Sequence, residues 1–172
     1  MRKITYGGAC SLDNYFAGPD DAMDWLQWSD ELNGIVADYW KNVDTVLMGR
    51  KTYQVSLRMG GGPVSGMTNY VFSRTLAADS APGFIVVASD AVDFVRELKE
   101  KAGKDICLMG GGVLAKPLFE AGLIDEIGLH VHPVLLGSGS PAIPPVSRRI
   151  GLELIESRTF KNGGLLVSYR VK

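Results

Sequence analysis

Residues 106–127 read ICLMGGGVLAKPLFEAGLIDEI, and the reading of this stretch decides the fold. Ile106 to Met109 is a short apolar run of strand type, and Gly110, Gly111 and Gly112 carry no Cβ, so the backbone can turn sharply and bring its N–H groups close to a ligand. A helix follows from about Val113 and is closed by Gly122. Pro117 is expected in or near its first turn, where a missing N–H costs nothing because those donors have no helical partner. Free N–H groups and the positive end of the helix dipole at Gly111 to Leu114 suit a diphosphate. The alternative is a tight strand-to-helix turn whose glycines only serve packing.

Outward from that unit, strands alternate with helices and no internal repeat appears. Lys3 to Cys10 is a central strand whose Gly7 and Gly8 imply a close backbone neighbour. Ser11 to Trp28 reads as a loop, with turn chemistry at Asp13–Asn14 and Gly18–Asp21 and with the aromatics Tyr15, Phe16, Trp25 and Trp28 along it. Ser29 caps a helix over Asp30–Asn42, with Leu32, Ile35, Val36, Tyr39 and Trp40 at helical spacing. Val43–Met48 is a strand ending in Gly49-Arg50-Lys51-Thr52 and a short helix to Leu57; Asn69–Phe72 is another, ending in Ser73-Arg74-Thr75. Phe84–Ala88 precedes a helix capped by Ser89 or Asp90 that runs through Lys101, with Val92, Val95, Leu98 and Ala102 inside. After the central stretch come a long strand over Asp125–Leu136, a loop over Gly137–Pro145, and two β segments from Ile150 joined by Asn162-Gly163-Gly164, a hairpin signal. The pattern gives one α/β domain over residues 1–172, a mostly parallel twisted sheet with helices on both faces and a closing antiparallel hairpin.

Composition narrows the function. A net charge of -1 and a pI near 6.1 leave no electrostatic footprint for nucleic acid. No segment approaches the roughly 18 apolar residues of a membrane helix, and the first residues carry no signal-peptide run, so a cytoplasmic location is expected. Cys10 and Cys107 fall inside strands and read as small buried hydrophobes.

The ends of three strands carry nucleotide-site chemistry: Gly49-Arg50-Lys51-Thr52, Ser73-Arg74-Thr75 and Gly110-Gly111-Gly112. In a parallel sheet the carboxyl ends share one edge, so the three can meet on one ligand. The glycine turn takes a pyrophosphate, Thr52 adds a hydroxyl, and the forked donors of Arg50 and Arg74 take a terminal or 2′-phosphate, which favours NADP over NAD. Read singly, Arg50, Lys51 and Arg74 are also consistent with solvated charges at strand ends. Gly110-x-Gly112-x-x-Ala115 has the spacing of the dinucleotide fingerprint, but it lies late in the chain and lacks the acid roughly 20 residues on, so it does not indicate a Rossmann fold.

In order along the chain, Ser11-Leu12-Asp13, Asp44 to Thr52, Ser73-Arg74-Thr75 and Gly110 to Gly112 resemble the dihydrofolate reductase superfamily. Within it, Asp125-Glu126-Ile127 followed by His132-Pro133-Val134-Leu135-Leu136-Gly137 is similar to the reductase domain of the riboflavin-biosynthesis deaminase-reductase (RibD C-terminal domain) and its single-domain bacterial relatives. The resemblance implies an eight-stranded, mostly parallel sheet with a C-terminal antiparallel strand, and a homodimer. It implies NADPH held by Gly49, Arg50, Lys51, Thr52, Ser73, Arg74 and Gly110 to Leu114, with Ala9, Phe16 and Ala17 near the nicotinamide. Val113 stands where dihydrofolate reductases often carry a basic residue, which gives Arg50 and Arg74 more of the 2′-phosphate. The activity implied is NADPH-dependent reduction of a small pyrimidine- or pterin-like heterocycle, as in 5-amino-6-(5-phosphoribosylamino)uracil reductase. A true dihydrofolate reductase and a non-catalytic NADP-binding protein are the alternatives.

Hydride transfer to a C=N carbon also needs a proton on the nitrogen. Asp24, in the acid-Trp pair Asp24-Trp25, and Asp30, at the helix start, compete for that role; each also suits a plain turn or helix-start acid. Trp25 and Trp28 can stack on a flat heterocycle, whereas Trp40 belongs to a buried helix stripe. His130 and His132 share one strand face, and they are the only two histidines, so pocket lining by His130 or interface packing is expected, with no metal site.

Overall fold

The computed structural model describes residues 1–172. Its first strand, β1 (Ile4–Ser11), lies inside the sheet, and its glycines mark a close approach: a Cβ at Gly7 would stand 1.7 Å from the Gly128 carbonyl oxygen. Then follow β2 (Tyr15–Ala17), a 3-10 turn at Pro19–Asp21, α1 (Asp30–Trp40), β3 (Val43–Gly49), α2 (Arg50–Arg58), β4 (Thr68–Phe72) and β5 (Ile85–Val87). The chain continues as α3 (Ala91–Glu100), β6 (Asp105–Met109), α4 (Gly112–Glu120), β7 (Glu126–His132), β8 (Ser140–Pro141), β9 (Leu152–Thr159) and β10 (Leu165–Val171).

Eight strands form one sheet in the order β5-β4-β3-β6-β1-β7-β10-β9. Neighbours from β5 to β7 pair in parallel, while β10 is antiparallel to both β7 and β9. The expected parallel sheet with a closing antiparallel hairpin is therefore the observed one. Period-two alternation splits the core between its faces. Leu47, Ile106, Leu108, Ile4 and Tyr6 pack against Val95 and Leu98 of α3 and Leu114, Leu118 and Phe119 of α4. Val46, Met48, Val71 and Cys107 pack on the other side with Tyr53 of α2, and Tyr39 and Trp40 of α1 lie against them.

Four local expectations are corrected. β7 stops at His132, not Leu136, because Pro133 has no N–H for the ladder; the Asp13 carboxylate instead accepts from the Leu136 and Gly137 N–H groups. Segments read as loop, Tyr15–Ala17 and Ser140–Pro141, pair as a second small sheet. Pro117 lies beyond the first turn, since α4 already begins at Gly112; the helical bond it omits would have ended on the carbonyl of Val113, a residue 94% exposed. α3 ends at Glu100 with Ala102 exposed, and its inner face includes Lys99, which is buried, donates to the Leu123 carbonyl at 2.9 Å and pairs with Asp125.

At the sheet's end, β9 is exposed along its length, with Leu152, Leu154 and Ile155 each about half open. No helix is long and apolar enough to cross a membrane.

Candidate functional site

The carboxyl edge of β3 and β6 is built around two helix starts. α4 begins after Gly110 and Gly111, whose φ angles of 53° and 78° lie in the left-handed region that only glycine adopts without strain. α2 begins directly at the end of β3, with Gly49 as its N-terminal cap. Neither start receives a hydrogen bond from a capping side chain. The Gly111 N–H has no partner within the protein, and the first N–H groups of each helix lack helical acceptors by construction. The two starts meet: a Cβ on Gly111 would stand 3.1 Å from Thr52 Oγ1 and 3.9 Å from the Gly49 nitrogen. Glycine leaves this cradle open, and both helix dipoles point their positive ends into it.

The basic residues divide by what they touch. Arg50 is exposed and donates to Thr75 Oγ1 at 2.8 Å, which joins the β3 and β4 strand ends. Arg74 is exposed with no ion pair. Ser73 Oγ accepts from the Thr75 and Leu76 N–H groups at 3.2 and 3.0 Å, fixing the turn that presents Arg74. Lys51 is tied elsewhere, to Asp21 at 2.8 Å and Ser140 Oγ at 3.1 Å. Asp21 also takes Arg58 at 2.8 Å, so it clamps the first loop to α2; hydrogen bonds from Lys51 and then Arg58 hold its carboxyl below 3.8. Nothing in the sequence pattern marked Asp21 beyond a turn acid. Val113 is almost wholly exposed over the cradle, while Leu114 is buried in the core.

One strand over, β1 and β6 separate. The last bond between them runs from the Gly110 N–H to the Gly7 carbonyl at 3.4 Å. Backbone groups of alternate residues point the same way in a parallel strand, so those of Ala9 face the gap that β6 leaves as it turns at Gly110. Phe16 lies on the opposite face, its ring 3.4 Å from the Cβ position of Gly8 and edge-on to Tyr6. Ala17 is buried, with its carbonyl against Gly139.

Across β1, register sets Ala9 beside His130 and Ser11 beside His132. Trp25 meets His132 edge-on with ring centres 5.1 Å apart. Asp24, next to Trp25, is exposed, and so is Asp30, at the first position of α1; neither forms an ion pair or side-chain hydrogen bond. Trp28 is 62% exposed and Trp40 is half-buried against the core. The structure thus gathers Ala9, Trp25, His130 and His132 on one side of the strand edge and the glycine cradle with Arg50, Thr52, Ser73 and Arg74 on the other. Nowhere do three or more His, Cys, Asp or Glu side chains cluster as metal ligands.

Comparisons with known proteins identify the family and the fold. The RibD C-terminal domain family matches residues 2–166. The uncharacterized protein YyaP of Bacillus subtilis (strain 168) is 31% identical over 98% of this chain and 95% of its own length. A Shewanella sp. PV-4 protein named for riboflavin biosynthesis superposes with a TM-score of 0.84 at 24% identity, over 100% of this chain and 99% of that one. The Thermotoga maritima diaminohydroxyphosphoribosylaminopyrimidine deaminase/5-amino-6-(5-phosphoribosylamino)uracil reductase gives 0.72 at 18%, over 99% of this chain and 57% of that one. Enterococcus faecalis dihydrofolate reductase, complexed with NADP(H), gives 0.71 at 17%, over 99% and 96%. With its sheet order, helix placement and nearly full-length family match, the chain belongs to the RibD C-terminal domain family, within the dihydrofolate reductase-like fold.

Proposed function

We propose that the protein is an NADPH-dependent reductase of a small pyrimidine- or pterin-like heterocycle, with a ribosylaminouracil of the kind named for the Thermotoga relative as the first substrate to test. One observation carries the reading: two helix starts without side-chain caps converge on one glycine cradle at the edge of the sheet. The cradle fits a dinucleotide phosphate. A Cβ at Gly111 would intrude on it, the Gly111 N–H has no partner, and forked cations stand on the two neighbouring strand ends.

NADPH, when bound, supplies a hydride at the nicotinamide ring. The N–H groups of Gly111 to Val113 and of Arg50 to Thr52 would hold its diphosphate, the Leu114 N–H already donating to the Gly111 carbonyl at 3.0 Å, and Arg50 and Arg74 would hold the 2′-phosphate through charge-assisted bonds. Ala9 offers one N–H and one C=O toward the same edge, the complement of a carboxamide. Asp24 adjoins Trp25, whose ring meets His132, and this nearness along the chain favours it over Asp30 as the acid that orients a proton-donating water. The exposed apolar residues of β9 are the surface through which a homodimer would form, as edge strands pair readily.

The test is a titration with NADPH and NADH followed by nicotinamide fluorescence and thermal shift, then a screen of ribosylaminopyrimidine against dihydrofolate read as loss of cofactor absorbance. The reading predicts tighter binding of NADPH than NADH and turnover of the pyrimidine. No signal at saturating NADPH, with Arg74→Ala indistinguishable from wild type, would overturn it. Binding without turnover of either substrate would leave an NADP-binding protein.

A further inference from the structure

His130 and His132 are the polar groups of this molecule least explained by its packing. They are 6% and 1% exposed, and none of their four ring nitrogens has a hydrogen-bond partner. Their rings meet at a centroid distance of 4.2 Å and an interplanar angle of 62°. Trp25 covers His132, and Phe160 stands edge-on to His130 with ring centres 5.1 Å apart. Gly164 leaves the room that the His130 ring needs, since a Cβ there would come within 2.9 Å of Nε2. A neutral imidazole carries one donor and one acceptor, and leaving both unmet in a buried place costs free energy that a leucine pair would not incur. Such a pair calls for a partner that the protein itself does not provide.

The pair's position narrows what that partner is. It lies beside Ala9 and Ser11 on β1, on the same sheet edge as the glycine cradle, and its cover is an indole carried by a loop. The only polar bond of that indole, Nε1–H to the Ala22 carbonyl at 3.2 Å, is internal to the loop, so the loop can carry it away without breaking a tie to the sheet. We propose, resting on the reductase reading, that His130 and His132 form the hydrogen-bonding floor of the heterocycle subsite. They take the donor and acceptor edge of a planar nitrogen heterocycle when the Trp25 indole moves off them.

The surroundings make the pair sensitive to its cover. β1 presents Ala9 and Ser11, β10 presents Leu166, the closing turn presents Phe160, Asn162 and Gly164, and the loop presents Trp25; none is charged. Asp24 and Lys161, the nearest charged residues along the loop and the turn, are both exposed. Burial, and next the charge of His132, holds His130 down at about 4, and burial lowers His132 as well. Lifting the indole exposes His132 and returns it toward the ordinary 6.5. A histidine buried as the neutral form makes the folded state lose stability as pH falls from 6.5 toward 4.

The chain has only these two histidines, so their ring Cε1–H signals in a proton NMR spectrum report this pair alone. In wild type both should titrate below 6.5, with His130 near 4, and in Trp25→Ala the His132 signal should titrate at higher pH. 5,6-Diaminouracil, titrated with and without saturating NADPH, should shift both signals. His132→Leu should weaken that probe about tenfold while leaving NADPH affinity unchanged and the melting temperature equal or higher. Titration near 6.5 in wild type, no upward movement of the His132 signal in Trp25→Ala, or probe binding by His132→Leu equal to wild type would each overturn the proposal. Failure of NADPH to bind strikes the reductase reading instead, and the titration without cofactor still decides the histidine floor.

Discussion

Two of the four helices begin sealed and two begin open. At α1 the Ser29 hydroxyl accepts the Leu32 N–H at 3.2 Å, and at α3 the Asp90 carboxylate accepts from Val92 and Asp93 at 2.9 and 3.2 Å. α2 and α4 carry glycine at the same position and no cap. Each face of the sheet has one helix of each kind, so the difference does not follow from the packing layer. It follows from location, because the open starts share the β3–β6 edge. A capping side chain is worth about 1 kcal/mol to a helix, and forgoing it at two adjacent starts leaves donors free for an anion.

Breaking the open side should have the largest effect. Gly111→Ala forces a side chain into φ 78° and against Thr52 Oγ1, a strain of about 1–3 kcal/mol. NADPH binding should fall below detection in a fluorescence titration, together with a lowered melting temperature. Next, Arg74→Ala removes a charge-assisted contact worth about 1.5–3 kcal/mol; NADPH should bind at least about tenfold more weakly while NADH is unaffected. On the sealed side, Asp90→Ala should cost about 1 kcal/mol in denaturant unfolding and leave NADPH affinity alone. Smallest is Asp21→Asn, which loosens exposed Lys51 and Arg58 by no more than about 1 kcal/mol. Since the folded Asp21 carboxyl sits below 3.8, its contribution is present above that pH and lost as pH falls below it, so the variant should match wild type in acid melting curves.

Strand and helix identities in the parallel region were legible because their signals were long. Val46, Leu47 and Met48 form a continuous apolar run within Val43–Gly49, as a strand buried on both faces should, and Ser29 and Asp90 are strong caps. The convergence of Gly49, Arg50, Thr52, Ser73, Arg74 and Gly110–Gly112 also followed, since parallel strands deliver their carboxyl ends to one edge. The β2–β8 pairing was not legible: strands of three and two residues carry no periodicity, and their contact joins Tyr15 to Pro141, far apart along the chain. The burial of Lys99 was not legible because its type argues for solvent; the Leu123 carbonyl and Asp125, which draw it inward, arrive from a distant turn. His132 was visible as His130's neighbour, but the Trp25 contact joins residues whose proximity no local pattern encodes.

The comparison is tested most directly by following backbone amide shifts as NADPH is added to the labelled protein. The account predicts shifts concentrated at Gly111 to Leu114 and at Arg50 to Thr52, with the sealed starts at Glu31 to Asn33 and Val92 to Phe94 unmoved. Shifts centred on the sealed starts, or none at the two glycine-led ones at saturating NADPH, would contradict it.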